Sequence, residues 1–160
     1  MRYQTVVLAS AIALAVAGCS KSSPTGPGSQ PTYNSVAGSY AGPMSGLNQG
    51  IAIVATLTVT ITQNDGTLGG SYGLSGTLTD GVNVVDITGT GTLSGTIASG
   101  NNPSVNVTVR SGDCPAYSAQ FSGAYDTANS RMTLTGPVQI YATDCSRVAI
   151  TYPTTFILTH

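Results

Sequence analysis

Thr56-Leu57-Thr58-Val59-Thr60-Ile61-Thr62, running on into Gln63-Asn64-Asp65-Gly66, is the stretch that decides the fold class. Apolar and hydroxyl side chains alternate with a period of two. In an extended chain this puts Leu57, Val59 and Ile61 on one face and the threonines on the other. A helix would need a spacing near 3.6. The alternation stops at Asn64-Asp65-Gly66, a strong hairpin signal, and Leu68, Tyr72 and Leu74 resume it on the return.

Working outward, the same pattern recurs with turn residues between the runs. After Asp80-Gly81, the series Val85, Ile87, Gly89, Gly91, Leu93, Gly95 and Ile97 is long enough for one bent strand or two short ones. Beyond Gly100-Asn101-Asn102-Pro103, Val105, Val107 and Val109 share a face. Tyr117, Ala119, Phe121 and Tyr125 follow, then a turn around Asp126 to Ser130, then Met132, Leu134, Val138 and Ile140. The chain closes with Val148, Ile150 and Tyr152, and with Phe156 and Leu158 after Pro153, a residue expected to bend the last strand or place it at an edge. A first strand around Val36 to Ala41 brings the count to about eight to ten. Short links favour a meander. Gly70, Gly76, Gly89, Gly91, Gly95, Gly123 and Gly136 fall at core-facing positions, where glycine permits sharp coiling or close backbone approach. The expectation is an all-β domain, a small antiparallel meander barrel of about eight strands, with a β-sandwich as the alternative.

Gly38-Ser39-Tyr40-Ala41-Gly42, then the threonine-rich strand, then Gly69-Gly70-Ser71-Tyr72, resembles the opening of calycin and avidin-type barrels. The resemblance spans about a third of the domain and implies a meander barrel. The chain has no tryptophan, so the ligand chemistry of those families is not carried over.

The N-terminus carries a different message. Arg2 precedes an apolar run, Val6 to Ala17, that is too short to cross a bilayer as a helix, so residues 1–18 read as a signal peptide. Val16-Ala17-Gly18-Cys19 resembles the lipobox of bacterial lipoproteins, although Val16 stands where that family most often has Leu. The resemblance implies cleavage before Cys19, a thioether-linked diacylglycerol on its sulfur and acylation, palmitate for example, of its new amine. The alternative is an ordinary signal peptide with Cys19 an incidental thiol. Ser20 replaces the Asp of the inner-membrane retention signal, so the expected location is the outer membrane of a Gram-negative cell, on its periplasmic or surface face. Residues 19–33, rich in Ser, Pro and Gly, read as a flexible tether, and 34–160 as the folded domain.

Assigning Cys19 to lipid leaves Cys114 and Cys145 as a candidate disulfide in an oxidising compartment; two buried thiols or a metal pair are the alternatives. No metal site and no cofactor are expected, because neither histidines nor further cysteines cluster near them. Catalysis has little to use: the chain has no glutamate, and its one histidine is the terminal His160. Asp65, Asp80, Asp113, Asp126 and Asp144 sit in apparent turns, where Asp is favoured for backbone hydrogen bonding. The chain is therefore read as not an enzyme, a hydrolase using Asp carboxylates being the least favoured option. Four cations follow Cys19, Lys21, Arg110, Arg131 and Arg147, against six aspartates, so no basic stripe offers itself to nucleic acid. Asn106-Val107-Thr108 matches a glycosylation sequon but equally fits the solvent face of a strand.

Two sets of residues stand out for binding. Tyr72, Tyr117, Tyr125, Tyr141 and Tyr152 combine an apolar ring with a polar tip and suit the mouth of a ligand site, or else the core. A bridge between Cys114 and Cys145 would gather Arg110, Asp113, Asp144 and Arg147 at one rim. The expected role is a non-enzymatic envelope module, held to the membrane through its lipid anchor, for a small ligand, glycan or partner protein. The alternative is a structural or assembly lipoprotein of the outer membrane.

Overall fold

Period-two sequence has one economical solution when one face is apolar and the edges must be paired: the sheet curls until its last strand meets its first. The structure, a computed structural model, describes residues 30–160. The signal peptide, Cys19 and most of the tether lie outside the described residues. Eight strands follow in chain order: β1 (Gly38–Asn48), β2 (Ile51–Asn64), β3 (Thr67–Thr79), β4 (Val84–Ile97), β5 (Ser104–Ser111), β6 (Ser118–Asp126), β7 (Arg131–Tyr141) and β8 (Val148–Thr159). Each pairs antiparallel with its chain neighbours, and the meander closes into a barrel. The sandwich alternative is thereby excluded.

The run quoted first is the middle of β2, and its alternation is realised in the packing: Val59 and Ile61 are buried, Leu57 is half-buried, and the threonines face solvent. β1 and β2 both extend further than the apolar pattern suggested, because Gln49 and Gly50, at φ of 52° and 78°, make a tight two-residue turn between Asn48 and Ile51. β4 is one continuous strand. β8 also runs unbroken through Pro153.

Proline still leaves its mark on the wall. Pro43 on β1 and Pro153 on β8 lack an N–H, and the ladder between these strands is reduced to the pair Ala41 and Thr159. Side chains add to it: the Asn48 amide on β1 donates to the Thr151 carbonyl on β8 at 2.7 Å, and the Tyr152 hydroxyl reaches the Ile51 carbonyl on β2 at 3.2 Å. Pro137 on β7 sits where the β6–β7 ladder stops, above Ser122 and Thr135.

The two ends of the barrel differ. At one end residues 32–36 run across the opening: the Gly100 N–H donates to the Thr32 carbonyl, the Val36 N–H to Gln63, and the Tyr40 hydroxyl to the Val36 carbonyl. Val36, Leu68, Val105, Met132 and Leu158 are fully enclosed there. Burying each such side chain contributes about 1.5 to 3 kcal/mol. The opposite end carries the β1–β2, β3–β4, β5–β6 and β7–β8 turns; Ile53 and Tyr152 fill its β1–β2 side, and the rest holds a cavity.

Candidate functional site

The open end is shaped by unequal strand lengths. β2 and β4 have 14 residues and β3 has 13, whereas β5 has 8 and β6 has 9, so one side of the wall stands taller than the other. Pairing of β4 with β5 ends at Gly91 and Ser111; one further bond, from the Gly112 N–H to the Thr90 carbonyl at 2.8 Å, follows, and Val84 to Gly89 pair with β3 alone. Over the low side rise the β5–β6 and β7–β8 loops, joined by a disulfide between Cys114 and Cys145. Next to it the rings of Tyr117 and Tyr141 stack with centroids 4.6 Å apart.

Within this rim lies a cavity of about 560 Å³. Its lower lining includes Phe121 and Phe156, whose ring centroids are 6.0 Å apart, and its walls are largely aliphatic, with Leu57, Leu74, Leu78, Ile87, Val109 and Ile140. The polar lining is sparse: Tyr72, Ser111 and Thr88, and at the mouth Asp86, Asp113, Gln139 and Tyr141. Ser111 is buried, and its hydroxyl accepts the Cys114 N–H at 3.0 Å, tying the loop down to the wall. The Tyr141 hydroxyl donates to Gln139 at 3.2 Å. Burial lifts the Tyr72 phenol above its usual range, Tyr141 and the Asp113 carboxylate push it the same way, and the Ser111 hydroxyl opposes them. Burial and the neighbouring Tyr117 also raise Tyr141.

The five tyrosines singled out from the sequence divide. Tyr72 and Tyr141 line the cavity, and Tyr117 braces Tyr141. Tyr125 is buried at the closed end and Tyr152 in the wall by the β1–β8 seam, both away from the cavity. The four charged rim residues divide as well. Asp113 borders the cavity, while Arg110 lies exposed and donates to the Pro115 carbonyl at 3.3 Å. The Asp144 carboxylate holds its own turn, accepting the Ser146 N–H at 3.0 Å, and Arg147 is exposed. The disulfide does bring the two segments to one rim, but among the described residues the one ion pair, Arg131 with Asp126 at 3.8 Å, is at the other end. His160, at the closed end, packs tilted against Tyr40, their ring planes 43° apart and centroids 4.1 Å apart. Among the described residues no three His, Cys, Asp or Glu side chains cluster as a metal site would require.

What the sequence did not single out is the aliphatic wall of the cavity and the role of Gly89. At Gly91, Gly95 and Gly123 an added Cβ would run into a neighbouring strand's backbone, and Tyr72 lies over Gly91. At Gly89 it would meet nothing within 4 Å. Gly89 leaves space in the barrel instead of admitting a neighbour, and the Ile87-x-Gly89-x-Gly91 spacing reads the same in both cases. No protein-family model matches the chain, and no curated protein or solved structure matches it either.

Proposed function

We propose that this chain is a lipid-anchored cell-envelope binding module, not an enzyme, whose barrel takes a small apolar ligand into its open end. The observation that carries the reading is the cavity of about 560 Å³, walled by aliphatic side chains and closed below by Phe121 and Phe156. Ligand sites have volumes of about 300 to 1,000 Å³, apolar walls and a few placed polar groups. The sparse polar lining favours an apolar ligand over a glycan, whose hydroxyls would be left without partners.

The membrane anchor of this reading is an acylated Cys19, the last residue of Val16-Ala17-Gly18-Cys19.

A neutral fluorescent probe, N-phenyl-1-naphthylamine, tests the reading. Folded protein is expected to bind it with a rise in emission, and Gly89→Phe, which fills open space, to weaken binding by about tenfold with the fold preserved. Absence of binding by the folded protein, or unaltered binding by the variant, would count against the cavity.

A structural or assembly role draws on a separate observation. Val82 and Val84 are 89% and 68% exposed at the open end, where β4 has no β5 partner, and Leu47, 73% exposed, lies at the same end on β1. An exposed strand edge with apolar side chains is a template for pairing with another chain. Self-association that depends on concentration and is lost in Val84→Lys would support that role.

A further inference from the structure

We propose that the ligand's polar head is cationic: the mouth of the cavity is built to select an apolar molecule carrying an ammonium group and to disfavour one carrying a carboxylate or phosphate. This rests on the apolar-ligand reading above and deepens it. Among the described residues lining the cavity there are two carboxylates, Asp86 and Asp113, and no Lys, Arg or His. The cations nearest in sequence do not compensate. Arg110 is exposed and engages the Pro115 carbonyl, and Arg147 is exposed; neither lines the cavity.

The other mouth groups favour the same sign of charge. Tyr72 and Tyr141 put aromatic rings in the lining, and aromatic rings attract cations through their quadrupole. The Tyr141 hydroxyl is committed to the Gln139 carbonyl oxygen at 3.2 Å, so the donor left to an anion at this lip is the uncharged Gln139 NH2. Asp113 acts electrostatically at the cavity, since its charge is felt by the Tyr72 phenol. An anionic head at this mouth would meet two carboxylates and no positive charge among the lining residues; Asp86 and Asp113 are both exposed, so the repulsion acts through solvent and weakens with salt. An ammonium head on an alkyl chain meets the converse: aliphatic walls for the chain, and carboxylates and aromatic rings for the head.

The test is displacement of N-phenyl-1-naphthylamine by three ten-carbon chains that differ in head charge, decyltrimethylammonium, decanol and decanoate, each kept below its aggregation concentration at neutral pH. The ammonium is expected to displace the dye at about tenfold lower concentration than the alcohol, an advantage that shrinks with added salt, and decanoate to be the weakest of the three. Asp113→Asn, alone and with Asp86→Asn, is expected to bring the ammonium to the level of the alcohol while leaving the alcohol unchanged. Near-ultraviolet circular dichroism checks that the variants keep their fold. Decanoate binding as tightly as the ammonium, or an ammonium advantage that survives the double substitution, would overturn the proposal and leave the apolar cavity standing. Failure of the dye and all three chains to bind folded protein would sink the cavity reading and this inference together.

Discussion

Gly70 and Gly89 sit at inward-facing positions of neighbouring strands, yet the barrel uses them in opposite ways. Gly70 has a φ of 144° and lies so close to β2 that an added Cβ would collide with the Thr60 carbonyl oxygen. Gly70→Ala is therefore expected to lower stability by about 2 to 4 kcal/mol, from strain and overpacking together. Gly89 has neither constraint, so Gly89→Ala should raise stability by about 0.4 to 1 kcal/mol by narrowing the unfolded ensemble. Urea unfolding of the two variants checks the contrast; equal effects would contradict it. Asp80 makes a separate point at this scale. Its carboxylate accepts the Asn83 N–H at 2.7 Å, the Asn83 amide at 3.0 Å and the Val82 N–H at 2.9 Å, and these bonds bring its pKa from an ordinary 3.8 down to about 2. A depressed pKa means that the turn is supported above pH 3.8 and loses that support as pH falls through about 2. NMR titration of the Asp80 carboxyl should give a midpoint near 2, returning toward the ordinary value in Asn83→Ala; a wild-type midpoint in the ordinary range would refute the assignment.

Among the elements, the hairpins carry the site and the loops between them decide its shape. The Asp80 turn has a counterpart at Asp126, whose carboxylate accepts the Ala128 N–H at 3.0 Å and the Asn129 amide at 2.7 Å, so one Asp-x-x-Asn device closes hairpins at both ends of the barrel. Each of the β5–β6 and β7–β8 loops is held by its own turn bonds, Tyr117 N–H to the Cys114 carbonyl and Cys145 N–H to the Ala142 carbonyl, and the Cys114–Cys145 bridge joins the two across 31 residues of chain. Replacing both cysteines with serine should lower stability by about 3 to 4 kcal/mol on the chain-entropy argument. The effect on binding should be larger than on the distant core. With the loops untied, dye affinity should fall while hydrogen exchange at Val105 and Met132, buried at the closed end, keeps its protection under conditions where the variant stays folded. Uniform loss of protection together with unchanged affinity would contradict this division. The β1–β8 seam, with one ladder pair, is the other weak line of the wall.

For the whole molecule, residues 32–36 close one end of the barrel and the other holds the cavity on which the proposed binding role rests. Protein extracted from membranes in detergent is expected, by mass spectrometry, to begin at an acylated Cys19, and Cys19→Ala to remain unprocessed. An unmodified N-terminus at Ser20 or beyond would remove the anchor from the proposal. The period-two alternation of Leu57, Val59 and Ile61, the Asn64-Asp65-Gly66 turn and the odd number of cysteines made the all-β class, the meander and the disulfide legible in the amino-acid order, because each depends on local geometry or on simple counting. Local signals also carried the aspartate turns. They did not reach the Gln49-Gly50 hairpin, whose chemistry is less distinctive than Asn-Asp-Gly, nor the difference between Gly89 and Gly91, which lies in what the neighbouring strand brings opposite each one. Tyr72 and Tyr125 look alike along the chain, yet one lines a cavity and the other fills a closed end. The sequence by itself determined which side chains face inward, since strand periodicity assigns faces without reference to partners. Only the tertiary structure decided where the inside is full and where it is hollow, since volume within a barrel depends on strand lengths, register and the segment that crosses one end, all of them set by residues far apart in the chain.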